Sequence, residues 1–76
     1  INAIQVAASA IAGMTLGRIS PETTANVGKI VGGTATNVVC PEVTIFAEAR
    51  SRSLEELDRQ IDHMKARFLG AAQEFG

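Results

Sequence analysis

The stretch that decides the fold of this chain is Gly32–Arg50, GGTATNVVCPEVTIFAEAR. Its last eight residues alternate between two classes of side chain. One class is small or aliphatic and would lie on one face of a strand: Val43, Ile45, Ala47 and Ala49. The other class includes the charged residues: Thr44, Phe46, Glu48 and Arg50. This alternation predicts a strand over 43–50 with one face against a core and the other open.

A second strand is predicted just before this stretch. The run Thr23–Gly33, TTANVGKIVGG, is rich in strand-forming Thr, Val and Ile, and the glycine pair Gly32-Gly33 interrupts it. The following TNVV is predicted to continue extended, and Pro41-Glu42 to form a turn or bulge.

Helices are predicted on both sides of the strands. In the first, apolar residues recur at steps of three and four, with Gly17 as its C-cap and Ser20-Pro21 closing the connection: Ile1, Ile4, Ala7, Ala8, Ile11 and Met14. In the second, Ser53 and Glu56 form a capping-box pattern. An apolar stripe follows it: Leu54, Leu57, Ile61, Met64, Phe68, Ala71 and Phe75.

The predicted order is therefore helix, strand, strand, helix. Two strands make a marginal sheet, and one more strand at each end would give the ferredoxin-like βαββαβ arrangement, an α+β two-layer sandwich within the broad α/β class. The chain begins at Ile1 rather than Met and enters a helix at once. We therefore expect residues 1–76 to be one domain of a longer enzyme, with the outer strands missing.

Bulk composition excludes several classes of function. The net charge is −1 and the only aromatic residues are three Phe, so neither a basic footprint nor a stacking platform for nucleic acid exists. No apolar stretch reaches the ~20 residues of a membrane span. The single cysteine, Cys40, allows no internal disulfide, which favours a reducing, cytoplasmic compartment.

The sequence predicts no catalytic or metal-binding residue in this segment. His63 is interpreted as a helix-surface histidine and Cys40 as a small apolar filler, since neither has ligand spacing to a partner. Glu55 and Glu56 are interpreted as first-turn charges of a helix. Glu48, two residues before Arg50 on one strand face, is the expected partner of that arginine.

Asn37 and Arg50 are the candidate binding residues. If the run between them folds back as a hairpin, both can approach one face. An amide can donate to a carbonyl and a guanidinium can grip a carboxylate. Such a pair suits recognition of a peptide or an acylated amino acid.

The run Gly17–Ser51, GRISPETTANVGKIVGGTATNVVCPEVTIFAEARS, resembles the lid or dimerisation domain of the zinc-dependent aminoacylase/carboxypeptidase family, above all its peptidase-T-like branch. The resemblance covers essentially all 76 residues. Its motif core is Gly32-Gly33-Thr34-x-x-Asn37 followed by Glu48-x-Arg50. Cys40 stands where many relatives have proline, which puts fine substrate positioning in question but not the spacing.

The resemblance implies a non-catalytic lid, attached to a catalytic domain that holds two zinc ions and hydrolyses amide bonds of short peptides or acyl-amino acids. It implies a four-stranded sheet with two helices, homodimer formation, and substrate binding by Asn37, Arg50, Gly33 and Thr34. A lid histidine that stabilises the oxyanion would lie just before Ile1. Aminopeptidase and carboxypeptidase action both remain open.

The alternative interpretation is a stand-alone ferredoxin-like regulatory or interaction module that binds an amino acid at a subunit interface. It requires complete strands at both ends of the domain, whereas the lid requires flanking catalytic sequence.

Overall fold

The computed structural model of the protein describes residues 1–75, in which two helices pack on one face of a three-stranded antiparallel sheet. The elements in chain order are α1 (Ala3–Ala12), β1 (Gly17–Ser20), β2 (Thr23–Gly32), β3 (Val43–Ser51) and α2 (Leu54–Phe75). The strand order in the sheet is β1-β2-β3. The predicted α+β two-layer fold is confirmed.

The short strand β1 was not predicted. Helix α1 ends at Gly13, whose N–H donates to the carbonyl of Ser9 at 3.2 Å, so the assignment of Gly17 as the helix cap is wrong. Gly17 instead has a φ of +82°, a left-handed conformation that glycine adopts without strain, and opens β1. Pro21 and Glu22 then turn the chain into β2.

Strands β2 and β3 form a long hairpin, which runs in register from Thr23 opposite Ser51 to Gly32 opposite Val43. A bulge at Gly28 shifts the register between Val27 and Lys29. The hairpin makes up most of the sheet.

The loop over 33–42 joins the far ends of these strands. Gly33 opens it with a φ of +96°. The N–H of Val38 donates to the carbonyl of Ala35 at 3.3 Å, which places Thr36 and Asn37 inside a turn. The predicted extended continuation through TNVV is therefore wrong, because this segment turns.

The core between the layers is made of small side chains. Its buried apolar members are Ala7, Ala10, Ala25, Cys40, Met64 and Ala71. Alanines on α1 let that helix approach α2 closely. Along the predicted stripe of α2, Met64 and Ala71 are buried, whereas Leu54 is 79% exposed.

The start of α2 is capped as predicted on one side only. The N–H of Glu56 donates to Ser53 Oγ at 3.2 Å. The Glu56 carboxylate does not return to Ser53, whose N–H instead donates to Ser51 Oγ at 3.0 Å. Glu56 accepts hydrogen bonds from Ser20 and Thr23, and so ties α2 to the sheet.

Three stretches of strand edge have no strand partner among residues 1–75. They are the outer edge of β3, the outer edge of the short β1, and the edge of β2 beyond Ala25, where its pairing with β1 ends. Neither α1 nor α2 combines the length and the hydrophobicity that a membrane-spanning helix needs.

Candidate functional site

The candidate site lies on the face of the sheet opposite the helices. Residues at alternate positions of β3 turn to this face, as predicted, among them Phe46, Glu48 and Arg50. The Lys29 ammonium lies 5.3 Å from the centre of the Phe46 ring, within range of a cation–π interaction. This face therefore exposes charged and aromatic groups to any molecule that approaches the sheet.

Arg50 lies at the carboxyl end of β3 and contacts Glu48, the predicted partner. The Nη2–Oε2 distance is 3.4 Å, and the two side chains are 77% and 59% exposed. Charge-assisted hydrogen bonds are shorter, about 2.7–2.9 Å, and exposed ion pairs contribute little to stability. Glu48 therefore orients the Arg50 guanidinium but leaves most of its N–H donors available for other partners.

A polar groove of about 420 Å³ surrounds Arg50 at this end of the sheet. Its charged lining residues are Arg18, Glu22, Arg50 and Arg52, and Thr24 lies between Arg18 and Arg50 across the strands. No sequence pattern indicated a role for Arg18, because only the unpredicted strand β1 brings it into the same groove as Arg50. Extended patterning over GRIS, closed by a Pro-Glu turn, was the one indication of that strand.

Asn37, Thr34 and Gly33 lie in the loop at the other end of the hairpin. Its ends are held beside the first turn of α1, where the N–H of Ala3 donates to the carbonyl of Cys40 at 2.9 Å. Val43 and Arg50 are seven residues apart, so β3 separates the two ends by about 23 Å. The hairpin forms, but it does not bring Asn37 and Arg50 together within one chain.

His63 has a structural partner that the sequence did not reveal. Its Nε2 accepts the N–H of Thr15 at 2.9 Å, and Gln60 Nε2 donates to the Thr15 carbonyl at 2.9 Å. Two side chains one turn apart on α2 thus hold both peptide groups of Thr15 in the connection between α1 and β1. The interpretation of His63 as a plain surface residue is corrected.

Cys40 is buried, as the filler interpretation predicted, and its Sγ donates to the carbonyl of Glu42 at 3.1 Å. Within residues 1–75, no group of three or more His, Cys, Asp or Glu side chains could hold a metal ion. With the one imidazole occupied by Thr15, the described residues do not fit a zinc site.

Comparisons with known proteins agree with this architecture. The sequence matches the family described as Peptidase dimerisation domain over residues 1–74. The Bacillus subtilis protein YqjE is 54% identical over 76 residues, which are 100% of this chain and 20% of that protein.

Two solved structures share the fold. Aminopeptidase PepT from Bacillus cereus matches with a TM-score of 0.91 and 55% identity, over 93% of this chain and 19% of that one. A tripeptidase from Staphylococcus aureus matches with a TM-score of 0.92 and 48% identity, over 96% of this chain and 20% of that one.

The chain spans about one fifth of the length of these relatives. The match over residues 1–74 and the high identity to YqjE confirm the predicted resemblance to a peptidase dimerisation domain. The chain belongs to the peptidase dimerisation domain family.

Proposed function

We propose that this chain is the lid and dimerisation domain of a zinc-dependent, peptidase-T-like enzyme that hydrolyses short peptides in the cytoplasm. The observation that carries the proposal is its similarity, at 55% and 48% identity, to one fifth of an aminopeptidase and of a tripeptidase. In this proposal the domain is not catalytic itself. It contributes substrate recognition and contacts between subunits.

Arg50 is the proposed substrate contact. It projects from the helix-free face of the sheet, its side chain is 77% exposed, and its ion pair with Glu48 is long. A guanidinium fork of this kind matches a carboxylate or a carbonyl on a peptide. Closure of the lid over a catalytic domain would bury the groove around Arg50 and exclude water from it.

Asn37 is proposed to act from a second copy of the domain. The length of β3, about 23 Å, separates its loop from Arg50, whereas an extended tripeptide spans only about 10 Å. One short peptide therefore contacts both residues only if they come from different subunits. Gly33 and Thr34 lie in the same loop, and we propose that they shape it for this contact.

The unpaired edge of β2 is the proposed dimer contact. Beyond Ala25 this edge has no strand partner in the described chain, and large apolar side chains are exposed there and in the loop that follows: Ile30, Val31, Val38 and Val39. An exposed apolar edge is a template for pairing with another strand. A second copy would pair through a two-fold axis and continue the sheet.

The outer edge of β3 is proposed to receive a strand from elsewhere in the same polypeptide. Two open grooves, of about 240 and 300 Å³, run along this edge beneath the helices. Ile45, Ala49, Met64 and Phe68 are among their lining residues, and most of that lining is apolar. An inserted strand would cover this apolar surface and satisfy the β3 backbone, which gives the four-stranded lid.

Zinc belongs to the remainder of the proposed enzyme. Residues 1–75 do not fit a zinc site, so the ligands and the activated water would lie in the catalytic domain that this lid covers. The role of the described residues is to bind and orient the substrate.

Hydrolysis by the full-length protein tests the proposal. The protein is incubated with dipeptides, tripeptides, longer peptides and acyl-amino acids, with zinc or cobalt and then with a chelator. Metal-dependent cleavage of short peptides is expected. A protein that binds an amino acid but hydrolyses none of these substrates would favour the stand-alone binding module instead.

A further inference from the structure

Arg18, Thr24 and Arg50 form one row across the three strands. Arg18 lies opposite Thr24, and Thr24 lies opposite Arg50. Directly opposed residues of antiparallel strands place their side chains on the same face, and two strand spacings separate the arginine Cα atoms by about 10 Å. Thr23 and Ala25 are buried beneath the helices, so this row lies on the open face.

The groove around this row concentrates positive charge. Arg18, Arg50 and Arg52 line it together, and Glu22 is the one acidic residue among its lining side chains. These are three of the seven Lys and Arg residues of a chain whose net charge is −1. A local excess of cations in a weakly acidic domain attracts an anionic group to this end of the sheet.

Both arginines of the row keep most of their donors available. Arg18 Nη1 donates to the carbonyl of Pro21 at 3.2 Å, and Arg50 Nη2 contacts Glu48 at 3.4 Å. A guanidinium carries five N–H donors. One contact each within residues 1–75 therefore holds the side chains in place and leaves their forks open to a ligand.

We propose that Arg18 is a second specificity-determining arginine, which acts with Arg50 to clamp the free α-carboxylate of a short peptide above Thr24. The two forks approach from opposite sides, and each can donate to the carboxylate oxygens. The Thr24 hydroxyl lies between them and can donate from below. The inference rests on the proposed function and extends it, because it names the group that the site selects.

The first test compares two forms of one tripeptide as substrates of the full-length protein, the free acid and its C-terminal amide. Arg18→Gln should raise KM for the free acid about tenfold, the loss expected for a charge-assisted hydrogen bond. The same substitution should change KM for the amide by less than about twofold, because the amide lacks the carboxylate. Arg59→Gln, which removes an exposed arginine from α2, serves as the matched control and should affect neither substrate.

A double-mutant cycle separates a shared ligand from independent effects. If both arginines hold one carboxylate, the effects of Arg18→Gln and Arg50→Gln on KM for the free acid should not multiply in the double variant. Effects that multiply fully would contradict the clamp. Arg18→Lys, which keeps the charge but loses the fork, should show a KM between those of the wild type and Arg18→Gln.

Two outcomes would overturn the inference while leaving the proposed function intact. In one, Arg50→Gln impairs the active peptidase but Arg18→Gln changes neither KM, so Arg18 lies outside the site. In the other, Arg18→Gln raises KM for a tripeptide amide that carries a Glu side chain, which would mean that the arginines bind a side-chain carboxylate instead of the α-carboxylate. Absence of any metal-dependent hydrolysis would instead overturn the proposed function, and the inference with it.

Discussion

Glu56 at the start of α2 accepts a hydrogen bond from the hydroxyl of Thr23 at the start of β2, with 3.0 Å between Oε2 and Oγ1. Thr23 is fully buried, and its hydroxyl also lies 2.8 Å from Ser51 Oγ on β3. The contact joins the helix layer to both strands of the hairpin. It lies directly behind the row that contains Thr24 and Arg50, and so fixes the position of the candidate site.

Thr23→Val tests the contribution of these hydrogen bonds to stability. Valine keeps the volume and the strand propensity but removes one hydrogen bond from each of the Glu56 and Ser51 oxygens, so the free energy of unfolding should fall by about 1–3 kcal/mol. Urea denaturation measures the change. Thr44→Val, the same substitution at an exposed position of β3, should alter stability by less than about 0.5 kcal/mol. Equal effects at both positions would show that the buried cluster contributes nothing.

Gln60→Met tests the attachment of α2 to the connection before β1. Methionine fills the same space but cannot donate to the Thr15 carbonyl, and the free energy of unfolding should fall by about 1–2 kcal/mol. Gln73→Met, at an exposed position of the same helix, is the matched control. An unchanged midpoint for Gln60→Met would mean that water replaces the lost donor.

Gly33 and Gly70 should respond in opposite directions to substitution by alanine. Gly33 has a φ of +96°, so Gly33→Ala should destabilise the protein by about 1–2 kcal/mol although the space for a methyl group exists. A methyl group at Gly70, within α2, meets no atom within 4 Å, and Gly70→Ala should stabilise by about 0.5–1 kcal/mol. Thermal unfolding of the two variants provides the measurement, and a neutral Gly33→Ala would contradict the backbone argument.

Val31→Lys tests the proposed dimer contact. Val31 is 51% exposed on the unpaired part of β2, where a charge in the centre of an interface should oppose pairing of two edges. Sedimentation velocity of the full-length protein should show a dimer for the wild type and a shift toward monomer for the variant. Leu54→Lys introduces the same charge at a position that is 79% exposed on α2, and should remain dimeric. A dimer that survives Val31→Lys would place the contact elsewhere.

Patterns within single elements predicted most of the fold. Alternation over 43–50 predicted β3 and its faces, and the spacing of Met64 and Ala71 predicted the buried side of α2, because each depends only on a local period. Strand β1 was not predicted because a run of four residues is too short to distinguish a strand from a loop by its pattern. Gly17 was predicted to be a helix cap because glycine commonly ends helices, whereas in the structure it opens β1.

The candidate site was predicted in part. Arg50 and its partner Glu48 were found because both lie on one strand, so their relation follows from a spacing of two. The prediction that Asn37 and Arg50 approach one face was wrong for a single chain. The turn falls within the loop rather than at Pro41, so Asn37 lies at the far end of the hairpin from Arg50. Arg18 and His63 depend on contacts between elements, which no local pattern encodes.

Steady-state hydrolysis by Arg50→Ala and Arg59→Ala variants of the full-length protein tests the central claim most directly, with metal content and dimer state measured alongside. If Arg50 binds substrate in the lid of a zinc peptidase, kcat/KM for a tripeptide should fall by about 10- to 100-fold in Arg50→Ala. Zinc content and dimerisation should stay at the wild-type level, and Arg59→Ala should retain full activity. An Arg50→Ala enzyme with unchanged kcat/KM would contradict the claim and reduce Arg50 to a surface charge.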